Sequence, residues 1–114
     1  MADEHVAQAD DDLFLMVNLY PARTGLPMTV WAGPRGKARH APRIKVNMVR
    51  GNRMDLDNTA VVGISPVPHL IAGSLSASDL AAVFNWIDRN RAALLDHWAG
   101  KIDGGDLVAR LRKV

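Results

Sequence analysis

Leu80, Val83, Phe84, Ile87, Leu94, Leu95 and Trp98 recur at three- and four-residue spacing, and only Arg91 breaks the apolar stripe they draw. That spacing is the signature of a helix with one buried face. Ser76 stands where an N-cap would accept a backbone N–H, and Asp79 falls in the first turn, where a negative charge favours the helix dipole. Gly100 follows the last stripe residue and suits the left-handed position that ends helices. A helix from about 77 to 99 follows, roughly 34 Å long at 1.5 Å per residue. Arg89-Asn90-Arg91 near its middle is the point at which it would loosen. A helix of that length needs an apolar surface to cover it, and the earlier part of the chain must supply that surface.

Strand patterns precede the helix. "RIKVNMV" (43–49) alternates Ile44, Val46 and Met48 with Arg43, Lys45 and Asn47, which places apolar groups on one face and charges on the other. "MTVWA" (28–32), closed by Gly33-Pro34, reads as a strand, and so does the apolar run "LFLMVNLY" (13–20), ended by the loop "PARTGLP". Gly51-Asn52 predicts a tight turn, with the chain returning through Met54 and Leu56 and then "TAVVGI" (59–64). In that register Asp55 and Asp57 would face Lys45 or Arg43. "SPVPHLIAGS" (65–74), with two prolines and a glycine, reads as a crossover loop. "LVARLRKV" at the end is ambiguous between a short helix and an edge strand.

The expectation is an α+β domain over 13–114, with a mainly antiparallel sheet of three to five strands packed on one long C-terminal helix. Its expected core is Val30, Ile44, Val46, Met48, Val61, Leu80, Val83, Phe84, Ile87, Leu94, Leu95 and Trp98. Trp86 falls at the border of the stripe, as core-edge packing or a partner contact. With Trp86 as an anchor and "LFLMVNLY" pairing across a two-fold axis, self-association as a homodimer is the assembly expected.

Charge is distributed unevenly. Residues 1–12 hold five acids and no Arg or Lys, and they read as a disordered acidic tail rather than a signal peptide. Residues 13–54 hold eight basic residues and no acid, whereas 55–114 hold six basic and seven acidic. The acidic tail could compete with an anionic partner for the basic face. The chain contains no cysteine, which excludes disulfides and thiolate chemistry and fits a reducing cytoplasm. No apolar run approaches the roughly 20 residues that a membrane span requires.

The stretch "GPRGKARHAPRIKV" (33–46) concentrates the positive charge in Arg35, Lys37, Arg39, Arg43 and Lys45, around His40. These are the candidate anion or nucleic-acid contacts, because so many cations without local acids must face water or an anion. The bland alternative is a solvated basic loop, with Arg43 and Lys45 guarding a strand's outer face and His40 unliganded. Nucleic-acid surfaces add stacking aromatics, and only Trp31 is near in sequence. His5, His40, His69 and His97 show no metal-ligand spacing, although His40 and His69 could meet at the sheet's end. His97 complements the dipole at a helix C-terminus. Ser76 and Ser78 read as capping residues, and neither a nucleophile elbow nor a phosphate-binding loop is present. Catalytic residues, metals and cofactors are therefore not assigned.

"DLAAVFNWIDRNRAALLDHWAGKIDGG", with Trp86, Leu94, Leu95 and Trp98, resembles the C-terminal helix of the small bacterial proteins of domain-of-unknown-function family 4160. "RHAPRIKV" is similar to the histidine-rich segment that leads into a strand in those proteins, with Arg43 and Lys45 standing where the family has further histidines. The resemblance covers about residues 26–110. It implies an α+β fold, a bacterial origin and a neighbourhood of toxin–antitoxin-like genes.

Three functions stand in order. The first is a non-enzymatic interaction or regulatory module that binds a protein partner or itself. The second is a nucleic-acid-binding accessory protein using residues 35–53. The third is a small nuclease-like enzyme using His40 with Arg43 or Lys45.

Overall fold

The computed structural model describes residues 16–36, 39–52, 55 and 57–114. Five strands and three helices follow in the order β1 (Val17–Leu19), α1 (Pro21–Thr24), β2 (Met28–Ala32), β3 (Arg43–Arg50), β4 (Thr59–Gly63), β5 (His69–Ala72), α2 (Ala77–Trp98) and α3 (Gly104–Arg110). Each strand pairs antiparallel with the next, so the sheet is a meander in sequence order, β1-β2-β3-β4-β5. The α+β class, the antiparallel sheet and the long helix agree with the sequence pattern. Among the described residues, no helix is long and apolar enough to cross a membrane.

The cross-strand pairs Leu19–Val30, Val30–Val46 and Val46–Ala60 set one row of the apolar face, and Ile44–Val62 lies beside it. All of these residues are buried. Val83, Trp86, Ile87 and Leu94 of α2 and Leu107 of α3 join them in a single core. The Ser76 hydroxyl accepts the Asp79 N–H at 3.1 Å, and Gly100 takes a φ of +78° just past the helix, as the cap signals required.

The phase of α2 differs from the sequence stripe. Trp86 is 0 % exposed, Asn90 3 % and His97 3 %, whereas Leu80, Phe84, Arg91, Leu95 and Trp98 are only half-buried. The stripe was drawn through apolar residues and therefore passed over Asn90 and His97. Asn90 is buried because its amide is fully engaged. It donates to the carbonyls of Trp86 (2.9 Å) and Arg112 (3.0 Å), and it accepts the Arg112 N–H (2.7 Å). Full burial also removes Trp86 as an anchor for a partner. Arg91 leaves the core differently: Nε donates to the Ile64 carbonyl at 3.2 Å and its guanidinium pairs with Asp88 at 2.6 Å. The helix runs unbroken through Arg89-Asn90-Arg91.

The sheet corrects four further expectations. Between β2 and β3 the register shifts, from Val30–Val46 to Met28–Arg50, so the alternation of β3 ends at a bulge. Beyond it Asn47 is buried and Met48 is exposed, not core. The chain does not turn back at Gly51-Asn52: Asn47 pairs with Thr59 at the start of β4, Asn47 Oδ1 accepts the Asp55 N–H (3.1 Å), and Asp55 holds Asn58 (2.9 Å). Arg43 and Lys45 consequently face Gly63 and half-buried Val61 instead of acids. Residues 69–72, read as part of a crossover loop, form β5, because Pro66 and Pro68 precede the strand and cost it no ladder donor. Within "PARTGLP", residues 21–24 form the short α1, with Pro21 in its first turn. The first half of "LVARLRKV" is the end of helix α3, which starts at a capping box between Asp103 and Asp106, and residues 111–114 leave it as neither helix nor strand. The acidic tail, Leu13–Leu15 of the first apolar run, Met54 and Leu56 lie outside the described residues.

The shifted helix phase has a measurable consequence. Trp86→Ala should cost about 3–5 kcal/mol, a large share of the stability of a domain this size. Phe84→Ala, on the flank of the core, should cost clearly less. Urea denaturation of both variants checks the order, and a larger loss at Phe84 would refute the burial pattern.

Candidate functional site

The C-terminal end of β2 and the N-terminal end of β3 lie side by side, since the two strands are antiparallel. The segment between them carries most of the basic stretch. Two backbone contacts hold it in place. The Arg35 N–H donates to the Trp98 carbonyl at 2.7 Å, and the Pro42 carbonyl accepts the Ile64 N–H at 3.1 Å. The first bond satisfies one of the carbonyls that every helix leaves unpaired at its C-terminus. It also fixes Trp98, the last residue of α2, beside the basic segment.

The result is a cleft of about 160 Å³. Trp31 and Trp98 line it, together with Arg35, His40, Arg43 and Lys45. Lys45 is the direct cross-strand neighbour of Trp31 and its Nζ lies 5.6 Å from the indole centroid, a cation–π distance. The His40 ring is 5.4 Å from that of Trp98, tilted by 38°. Its Nδ1 donates to the Ala41 carbonyl at 3.2 Å, and Arg43 Nε donates to the same carbonyl at 3.2 Å. Gly33 forms part of the wall because a side chain there would collide with the Met16 thioether, which lies against it.

Four of the six residues singled out from the sequence thus converge: Arg35, His40, Arg43 and Lys45. Arg39 is exposed and does not line the cleft, and Lys37 lies outside the described residues. Arg43 is half-buried, so the picture of a fully solvated basic strand face holds for Lys45 but not for its neighbour. Trp98 is the residue that sequence reasoning misplaced. Its apolar period assigned it to the core, and no local signal ties a residue at 98 to one at 35.

The cleft presents cationic groups beside two indole rings. Among the described residues no acid lines the cleft, and the His40 ring is oriented by the Ala41 carbonyl rather than by a carboxylate. His69 lies elsewhere, packed over Gly63 with Nδ1 donating to the Val67 carbonyl at 2.8 Å. Among the described residues, no three His, Asp or Glu side chains come together as a metal site. Ser76 is engaged as the cap of α2 and contacts Ser78.

His97, next to Trp98, behaves differently from a charged C-terminal residue. Its ring is buried, and Nδ1 has no hydrogen-bond partner among the described residues. Desolvation lowers its pKa below the ordinary 6.5, and the charge of Asp103 only partly opposes that shift. Burial thus favours the neutral ring.

The chain matches no family model, no curated protein and no solved structure.

His97 makes a pH prediction with a definite sign. The unfolded chain takes up a proton near pH 6.5 while the folded chain still resists it, so stability is full above 6.5 and falls as the pH drops towards the lowered folded value. Urea midpoints measured from about pH 7.5 down to about pH 5.5 should decline, and His97→Gln should flatten that decline. An unchanged slope in the variant would show that the ring is not the group responsible.

Proposed function

We propose that this domain is a non-enzymatic binding module whose cleft holds single-stranded nucleic acid. One base would lie against Trp98 and His40, and the flanking phosphates would meet Arg35, Arg43 and Lys45. The observation that carries this reading is the Arg35 N–H to Trp98 carbonyl bond of 2.7 Å. It supplies the aromatic surface that a basic stretch needs in order to grip a strand rather than merely attract one. A cleft of about 160 Å³ suits a single planar ring, and a duplex buries its base faces where no indole can reach them. Guanidinium and ammonium groups provide the phosphate contacts, and these are independent of sequence.

Such a module would work in a bacterial cytoplasm, in keeping with a cysteine-free chain and with the resemblance to domain-of-unknown-function family 4160 and its toxin–antitoxin-like neighbourhood. A protein-partner reading is favoured by one separate observation. β5 is an exposed sheet edge, and Val67 (63 %), Leu70 (39 %) and Ile71 (39 %) lie open on and beside it. An edge of that kind accepts an added strand, from a partner or from a second copy.

Fluorescence anisotropy with a short labelled oligothymidylate and a hairpin duplex, at two salt concentrations, tests the main reading. The single strand should bind more tightly, and its affinity should fall steeply with salt. Lys45→Ser and Arg43→Ser should each lower the salt slope by about one unit, and Trp98→Ala should cost about 1–3 kcal/mol of binding. Absence of binding at low salt, or binding indifferent to all three substitutions, would reject the proposal.

A further inference from the structure

We propose a second anion site, in the polar cavity between α2 and the chain that leaves α3, which takes a phosphate dianion, either free or as the head of a phosphomonoester. The cavity has a volume of about 450 Å³ and shares no lining residue with the tryptophan cleft. Arg89, Arg110 and Arg112 line it, with Asn90, Ala92 and Ala93 as the floor on α2.

Its construction starts from Asn90. That side chain is 3 % exposed and grips the backbone of Arg112 from both sides, accepting its N–H at 2.7 Å and donating to its carbonyl at 3.0 Å. Two residues on, the Val114 N–H donates to the Thr24 carbonyl at 2.9 Å. The segment after α3 is therefore tied down at Arg112 and again at Val114. Arg112 is brought next to the turn of α2 that carries Arg89, although 23 positions separate them in the chain.

The charge count identifies the ligand. Arg110 is matched by Asp96 at 2.8 Å. Among the described residues, Arg89 and Arg112 have no ion-pair partner, and no acid lines the cavity. Two like charges lining one concavity repel each other, and a ligand of charge −2 matches both where a monoanion leaves one unmatched. Guanidinium forks match the paired oxygens of a phosphate, which explains arginine rather than lysine at these positions. The lining has no aromatic ring, so the site reads the oxyanion and gives no stacking surface to the group attached to it. The volume leaves room for a phosphate with its waters or for the first atoms of an ester.

The test is a titration of the full chain, labelled with ¹⁵N, by sodium phosphate and separately by methyl phosphate at constant ionic strength and about pH 7.5. Either ligand should produce saturating shifts at the Nε–H signals of Arg89 and Arg112 and at the Arg112 amide, and leave the Trp31 and Trp98 indoles unmoved. Saturation by both identifies the head group as the recognised element, and saturation by one alone assigns the site to free phosphate or to the ester. Arg89→Ser and Arg112→Ser, both at exposed positions, should each weaken binding about tenfold or more. Arg89→Lys should restore only part of the loss, and Arg43→Ser should change nothing. Dispersed amide spectra of the variants establish that they fold. The proposal is overturned if neither phosphate saturates these signals, or if acetate at the same ionic strength reproduces the shifts.

Discussion

Leu19, Val30, Val46, Ala60 and Val62 occupy one face of a sheet only five strands wide, and α2 is the element long enough to cover them. Neither partner is stable apart. A lone 22-residue helix is marginal in water, and an uncovered antiparallel sheet would present an apolar surface to solvent. Docking therefore fixes everything attached to α2, including the positions of its two ends. At the start, Asp79 pairs with Arg50 at 3.0 Å on the far end of β3. At the finish, Trp98 is delivered to the strand ends where the basic segment begins.

The seam between helix and sheet is not wholly apolar, and the exceptions organise the molecule. Trp86 fills the centre of the seam, with its indole Nε1 unpartnered among the described residues. Asn90 has the opposite character: every hydrogen bond it makes is to backbone, so one buried amide fastens the chain after α3 onto α2. An apolar residue at 90 would fit the stripe better and would leave Arg112 without its anchor. His97 is a third buried polar residue of α2, and desolvation favours the neutral form of its ring.

Much of this was legible in the sequence, for reasons that can be named. β2 and both ends of α2 were readable because local chemistry decides them: β-branched content closed by Gly-Pro, a serine cap and a terminal glycine. The rotation of α2 was not, since a hydrophobic pattern has no means of knowing that Asn90 would find partners 22 positions away. Met48 was misplaced by a bulge, which depends on the neighbouring strand rather than on β3 itself. β5 was hidden because an exposed edge strand lacks the alternation that burial imposes. The basic half of the cleft could be seen in "GPRGKARHAPRIKV", but its aromatic wall could not, and neither could the Arg89–Arg112 cavity. Both depend on contacts between segments far apart in the chain.

The Arg35–Trp98 hydrogen bond also fixes when the site comes into being. During synthesis the ribosome releases Trp31 and the basic segment long before residue 98, so a growing chain carries these cations before the Trp98 ring can stand beside them. The positive charge is present from early in the life of the molecule, whereas the Trp98 wall of the cleft forms only when the last turn of α2 comes to rest. A chain halted or cleaved ahead of that turn would retain the charge and lack the Trp98 wall.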